Sequence, residues 1–321
     1  MKSKIKELIE SSKSIGLLAH ENPDGDAIGS LIAFYLILRD MNKDVEVIAS
    51  KIPERFKYLE DIDKIVDNSQ KNFDLVIVLD CASKKRIGQI DNIVDRASQV
   101  IVIDHHVSNT LYGDINYIEG NTSSCAQVLY YLFKEWKWNI NKECGKALMT
   151  GVLTDTNGFK NDNVDKNTYL MAAELLDEGI DIYNLQREVL TIVTKPQLEL
   201  KRIALDRLEF FDNGKIAFSY VTKKDMDSVG AMVGDHEGLV EIGRDIIGVE
   251  VSIFMREDEG FKISLRSNGS VKVNEIAEFF DGGGHEMAAG LNIDKNLEDA
   301  KNDIIRETMK VVDRYEWNTN S

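Results

Sequence analysis

The sequence contains no apolar run long enough to cross a bilayer. Its longest, Leu31 to Leu38, is far short of the ~20 residues a spanning helix needs. A signal-peptide core is also missing, because Met1 to Glu10 mixes both charge signs. Only three cysteines occur, Cys81, Cys125 and Cys144, and they show no paired motif spacing. This excludes a disulfide framework and fits a reducing, cytoplasmic setting with no membrane partner. Positive charge is short as well: 39 basic residues face 55 acidic ones, for a net charge of -16. Long nucleic acid is held mainly through phosphate neutralisation, so an acidic chain is a poor stable partner for it. A polyanionic substrate would have to be short and locally held, with bound cations inverting the charge of one pocket. There is no Gly/Ser-rich tract, low-complexity stretch or internal repeat.

What is present fits two ordinary domains, since 321 residues at 43% apolar content suffice for two cores. Ile15–Ala19, Val45–Ile48, Phe73–Leu79 and Val100–Ile103 are apolar, β-rich runs separated by helical spacing. Near-continuous runs of this kind suit strands buried on both faces of a parallel sheet, which gives an α/β class. The first run enters His20, the third Asp80, and the fourth Asp104-His105-His106. Open α/β sheets form sites beyond the carboxyl ends of their strands, so these groups are expected at one edge.

The first of these ends is the richest. His20-Glu-Asn-Pro-Asp24-Gly-Asp26-Ala-Ile-Gly29 places an imidazole and two carboxylates on a turn between strand and helix. That set suits a metal, although Asp24 or Asp26 also reads as a helix N-cap. Residues 121–134 read as a helix capped at Asn121, Thr122 or Ser123, and Lys142–Val152 as another that delivers Thr154-Asp155 toward the same edge. Val164–Glu178 is amphipathic and stops at Gly179.

From Asp181 to Phe211 the pattern is helical, interrupted by Pro196, and the domain junction is expected here. The expected organisation is a catalytic domain at 1–190, a helical connector at 191–213 and a second domain at 214–321. In the latter, strands are expected at Lys215–Val221, Gly248–Met255 and Phe261–Arg266, with helices at 235–245, 274–280 and 297–312, an α+β pattern. Its conspicuous feature is Asp281-Gly282-Gly283-Gly284-His285. Consecutive glycines let backbone amides approach an anion, and a glycine run between helix and strand is equally a common turn.

Taken together, His20, Asp24, Asp26, Asp80, His105 and Asp155, with Asp104 and His106 beside them, are about the number of donors two divalent ions sharing a bridge require. No thiolate contributes, which argues against a structural zinc site and for manganese, magnesium or cobalt. Two such ions activate water and clamp attacking and leaving oxygens of a phosphoryl transfer.

These motifs resemble the four signatures of the DHH phosphoesterase superfamily: His20 to Ala27, Asp80, Asp104-His105-His106 and Thr154-Asp155. Arg266-Ser267 and Gly282-Gly-Gly-His285 resemble the substrate-binding motifs of its DHH-associated C-terminal domain. The likeness runs in order along nearly the whole chain. It implies an N-terminal parallel-sheet DHH domain with helices on both faces, a smaller α+β domain, and an active site in the cleft between them. It implies that His20, Asp24 and Asp80 hold one Mn2+ and that Asp26, Asp80, His105 and Asp155 hold the second, with Asp80 as bridge. His106 would face the phosphate or leaving group, Asp104 would support it, and Arg266, Ser267, Gly282, Gly283, Gly284 and His285 would grip the substrate.

Departures from the family pattern fall outside the ligand set. Asn268 replaces a frequent basic residue, Asp281 a frequent glycine and Gln127 a frequent glutamate, and Asn157 interrupts Thr-Asp-Thr-Gly. The expected activity is hydrolysis of short RNA or DNA oligonucleotides and of 3',5'-bisphosphonucleotides (pAp), as in the nanoRNase branch. The alternatives are a cyclic or linear dinucleotide (cyclic di-AMP) phosphodiesterase and, from another class, a catalytically silent nucleotide-binding protein. A homodimer is carried as an implication of the resemblance.

Overall fold

The computed structural model describes residues 1–50, 52–232 and 234–319, with side chains described as far as 315. The chain divides into two compact units, Met1–Ile192 and Val193–Ser321.

The first unit contains α1 (Lys2–Ser11), β1 (Ser14–Leu18), α2 (Gly25–Asp40), β2 (Asp44–Ile48), β3 (Leu75–Leu79), α3 (Asn92–Arg96), β4 (Val100–Asp104) and β5 (Ile115–Ile118). Helices α4 (Cys125–Trp136), α5 (Lys142–Asp155), α6 (Lys166–Asp177) and α7 (Ile182–Gln186) complete it. The five strands form one parallel sheet in the order β2-β1-β3-β4-β5. The apolar runs are continuous because alternate residues enter different cores. Leu75, Ile77 and Leu79 face α2, α4 and α5, while Val76 and Val78 face Ile87, Ile90, Ile93 and Val94. Strand order reverses between β1 and β3, the place where open sheets of this kind leave a crevice at their carboxyl edge.

Helices α2 and α5 pack at backbone contact. A Cβ on Gly29 would meet the Ala147 carbonyl oxygen at 2.5 Å, and one on Gly151 would meet Asp26 Oδ1 and Ala126 Cβ at 2.6 Å each. The missing side chains therefore bring the start of α2, the start of α4 and the end of α5 together.

The second unit contains α8 (Lys195–Asp206), β6 (Glu209–Phe211), β7 (Ile216–Val221), α9 (Lys223–Val229), α10 (Glu241–Arg244), β8 (Val251–Glu257) and β9 (Phe261–Ser267). Then come α11 (Val273–Glu278), β10 (Gly283–Gly284), β11 (Ala288–Ile293) and α12 (Leu297–Thr319). Its mixed sheet has the order β10-β11-β9-β8-β7-β6, antiparallel except for β7 with β8. One face packs on α11 and α12 through Ile253, Leu265, Ile276 and Ile304. The other is partly covered by α8 to α10 through Leu200, Ala204, Leu239 and Phe254. Both α8 and β6, from the stretch read as a connector, are parts of this unit.

Three local expectations change. Ser124, and not residues 121–123, caps α4 by accepting from the Gln127 amide. The helix expected over 235–245 shrinks to Glu241–Arg244 because Gly234 and Gly238 take positive φ. Pro196 does not break a helix but sits in the first turn of α8, where its missing N–H costs nothing.

Candidate metal centre

Five secondary-structure ends meet at the carboxyl edge of the parallel sheet. His20 follows β1, Asp24 and Asp26 open α2, Asp80 follows β3, Asp104 ends β4 with His105 and His106 behind it, and Asp155 ends α5. His20 Nε2 lies 3.8 Å from both Asp24 Oδ2 and Asp80 Oδ2. His105 Nε2 lies 3.6 Å from Asp80 Oδ1, 3.6 Å from Asp155 Oδ2 and 3.9 Å from Asp26 Oδ2. Three overlapping donor groups result, His20/Asp24/Asp80, Asp26/His105/Asp155 and Asp80/Asp104/His105/His106; Asp80 belongs to two of them and its Oδ1 faces His105 of the other. All six sequence-expected ligands are thus brought together.

The capping and ligand readings of the first turn are not exclusive, because a carboxylate has two oxygens. Asp24 Oδ1 caps α2 by accepting from the Asp26 and Ala27 amides, while Oδ2 faces His20. Asp26 crosses to another helix: the amides of Cys125 and Ala126 at the start of α4 donate to its two oxygens at 2.6 and 2.9 Å. Those bonds aim a buried carboxylate with little rotational freedom left.

Asp80 is held differently. Its backbone takes φ 51°, a left-handed conformation that costs a non-glycine residue about 1–3 kcal/mol, with its amide pinned to the Ile103 carbonyl. Its Oδ1 is buried with no hydrogen-bond donor. Leaving a buried charged acceptor unsatisfied is costly, so this atom by itself calls for a cation. At an effective dielectric of about 20, two unit charges about 4 Å apart repel by roughly 4 kcal/mol. Burial first, and then the neighbouring carboxylates, raise Asp80 and Asp155 well above the usual range. Burial and Asp24 push Asp26 up to about 7, against the pull of the α4 amides. Among the described residues no Lys or Arg pairs with any of these aspartates; their recorded ion-pair partners are histidines. Burial holds His20 below its ordinary value and, with His106, holds His105 down to about 4, so both rings are neutral donors of a lone pair. Oxygen and imidazole donors of this kind, with Cys81 and Cys125 hydrogen-bonded elsewhere, suit a divalent cation.

Asp104 is the exception among the carboxylates. Burial opposes its charge, but His106 and Asn109 outweigh burial and hold it below the usual range. His106 Nδ1–H donates to its Oδ1 at 2.7 Å and Asn109 Nδ2 to its Oδ2 at 2.7 Å. Asn109 also reaches the Cys81 carbonyl, tying the β4 end to the β3 end. Asn161 and Asn163 similarly donate to the Asp155 carbonyl. None of these asparagines, nor Gly151, was singled out by sequence, because each acts across a loop or a helix contact that only the fold creates.

In the second unit Arg266 is half-buried, with Nε on Glu241 at 2.9 Å and Nη1 on the Leu265 carbonyl. Ser267 is buried and its hydroxyl oxygen accepts from the Gly269 amide. Gly283 and Gly284 form β10, and His285 is exposed beyond it. Two of the three glycines are required by packing. A Cβ on Gly282 would meet the Gly290 carbonyl oxygen at 2.5 Å, and one on Gly284 would meet Ala289 Cα at 2.5 Å, whereas Gly283 faces open space. Asp281 and Asn157, two departures from the family pattern, both take positive φ, 57° and 48°, the conformation glycine would adopt most cheaply.

The chain is similar to known proteins along most of its length. The chain is 29% identical over 301 residues to the bifunctional oligoribonuclease and PAP phosphatase NrnA of Bacillus subtilis, covering 91% of this chain and 93% of that one. It is 24% identical over 341 aligned positions to the cyclic-di-AMP phosphodiesterase GdpP of the same organism, covering 94% of this chain and 49% of that longer one. Its structure matches the crystal structure of an exopolyphosphatase-related protein from Bacteroides fragilis with a TM-score of 0.88 at 28% identity, over 100% of this chain and 97% of that one. Residues 14–152 match the DHH family, N-terminal domain, and residues 213–312 the DHHA1 domain. The chain therefore belongs to the DHH family, in the branch that carries a DHHA1 domain.

Proposed function

We propose that this chain is a divalent-cation-dependent phosphoesterase that hydrolyses short oligonucleotides and 3',5'-bisphosphonucleotides such as pAp. The observation that carries the reading is Asp80, a buried carboxylate with an unpartnered oxygen, facing two groups of oxygen and imidazole donors. Similarity to an oligoribonuclease and PAP phosphatase over nearly its full length supports the substrate class.

In this reading His20, Asp24 and Asp80 hold one Mn2+, and Asp26, Asp80, His105 and Asp155 hold the other. When bound, the cations would offset the carboxylate repulsion, polarise the phosphoryl group and lower the pKa of water. His106 addresses the phosphate or the leaving oxygen through Nε2, because Asp104 accepts a hydrogen bond from Nδ1–H and fixes the ring. Hydrolysis breaks one P–O ester bond, and the proton lost by water ends on the departing hydroxyl. Arg266, Gly282, Gly283, Gly284 and His285 bind substrate phosphate, and Ser267 shapes the turn beside Arg266. Arginine suits this task through its planar fork of donors.

The test is turnover of pAp and of an RNA dinucleotide by the purified chain with Mn2+. Both should be consumed, and chelation should stop both. If neither is consumed at excess Mn2+, the reading fails. Similarity to GdpP favours one second reading, a cyclic or linear dinucleotide phosphodiesterase. Faster turnover of cyclic di-AMP than of pAp or the dinucleotide would select it.

A further inference from the structure

A cavity among the described residues lies wholly within the second unit. It has a volume of about 580 Å³ and is walled by His236, Arg256, Lys262, Phe280, Asp281 and Gly282, among others. This is within the range of pockets that enclose a small organic ligand, roughly 300–1,000 Å³, and larger than a bare anion needs.

Its chemistry follows from strand register. Arg256 on β8 sits directly opposite Lys262 on β9, and like charges facing across an antiparallel pair are destabilising. The fold supplies one carboxylate for the two cations. Asp258 lies 2.7 Å from Lys262 Nζ and 3.7 Å from Arg256 Nη1. Lys262 and Asp258 are both exposed, and such pairs contribute about 1 kcal/mol or less, so an incoming dianion can replace this partner. One strand over, Gly290 stands opposite Ser264, which leaves the sheet face without a side chain where a ligand would rest. Phe280 supplies an aromatic wall, and Phe254 backs the floor. Asp281 is exposed at the rim in its left-handed conformation, an acceptor next to two donors. His236 is half-buried and held down to about 4 by burial and by Arg256 and Lys262, so it enters the pocket as a neutral ring. Arg266 lies four residues beyond Lys262 on the same face of β9, about 13 Å away at ~3.3 Å per residue.

We propose that this cavity is a nucleotide subsite, in which Arg256 and Lys262 take a phosphate, Phe280 packs on the base, and Asp281 accepts from a sugar hydroxyl. It shares Gly282 with the glycine run and, four residues from Arg266 along β9, adds a second phosphate-recognising point on one strand. The choice of a nucleotide as ligand rests on the short-nucleotide reading above.

The experiment is calorimetric titration of the full chain, in EDTA, with adenosine 5'-monophosphate, inorganic phosphate and adenosine. The nucleotide should bind at least about tenfold more tightly than either part. The Arg256→Gln/Lys262→Gln pair should weaken it by about tenfold or more, Lys262→Arg should restore much of the loss, and Asp281→Asn should weaken it less for the 2',3'-dideoxy nucleotide than for the ribonucleotide. Lys262 is exposed, so Lys262→Gln alone, with an unchanged thermal midpoint, covers failure of the double variant to fold. Nucleotide binding that ignores Arg256 and Lys262 but is lost in Arg266→Gln would overturn the proposal, as would phosphate binding as tightly as the nucleotide. Because EDTA removes turnover, the two readings separate. Lys262-dependent binding in a chain that hydrolyses nothing sinks the phosphoesterase reading alone, and hydrolysis with Lys262-independent binding sinks the subsite alone.

Discussion

In the first unit five aspartates converge on three histidines with no arginine or lysine paired to them among the described residues. In the second, Asp225 takes two guanidinium bonds from Arg207, at 2.5 and 3.0 Å, and Glu241 is gripped by Arg244 and Arg266. The outcome for the carboxylates is opposite. Asp26 is pushed up to about 7 by burial and Asp24. Asp225 resists burial through Arg207 and Thr222 and is held down to about 2. A carboxylate paired with a guanidinium needs no ion to balance it, whereas buried carboxylates without such a partner mark a place for an exchangeable cation.

The sharpest way to break this contrast is to disturb the cluster without touching a carboxylate. Gly151→Ala adds a carbon 2.6 Å from Asp26 Oδ1 and from Ala126 Cβ. Forcing extra volume into such a contact costs roughly 1–3 kcal/mol, and a misplacement of about 1 Å at a reacting site costs about 10²-fold in rate. Hydrolysis of pAp should fall by about that factor while Asp225 and its unit are unaffected; a Gly151→Ala enzyme with full kcat would show that the α2–α5 contact does not set the site. Asn109→Ala comes next. It removes the side-chain donor to Asp104 Oδ2, and loss of such an outer partner typically costs about 10–100-fold. The kcat should carry the loss with KM little changed, and a change confined to thermal stability would reduce Asn109 to a packing role.

The pH dependence tests the contrast directly. A carboxyl raised in the folded state, such as Asp26, contributes stability that is full below the ordinary carboxylate range and is lost as pH rises through about 7. The cation-free first unit should therefore be less stable at pH 8 than at pH 5. Added Mn2+, stabilising by about 2.7 kcal/mol at a hundredfold excess over its dissociation constant, should raise the melting temperature more at pH 8, where it displaces fewer protons. An equal rise at both values would contradict the assignment. Asp225 behaves with the opposite sign: its contribution is present above the ordinary range and lost as pH falls toward about 2. The smallest effect expected is that of Arg207→Lys, which breaks a two-pronged bond on a partly exposed pair and should cost about 1 kcal/mol or less. Loss of activity in that variant would contradict a purely structural role.

The gathering of these Asp and His side chains was legible because strand ends loaded with them need only one rule, that sites form at the carboxyl edge of a parallel sheet. Of the two N-cap candidates, Asp24 caps α2 while its other oxygen faces His20, and Asp26 accepts instead from the amides that open α4. The supporting residues were not legible. Asn109 acts on Cys81, 28 positions away, and Asp26 on α4, 99 and 100 positions away, so neither leaves a local pattern. Strand β5 is only Ile115–Ile118, and β11 hides in the glycine- and alanine-rich Ala288–Ile293. The glycine run was read as an anion site or a turn, and the backbone uses Gly282 and Gly284 for close strand packing.

Asp80 faces both donor groups, so its removal should disturb two cation sites at once. Equilibrium dialysis against Mn2+ at pH 8, followed by metal analysis of the wild type and of Asp80→Ala, measures this. About two ions per chain are expected in the wild type, and in Asp80→Ala loss of tight binding at both positions together with loss of pAp hydrolysis. An Asp80→Ala protein that keeps both ions would contradict it.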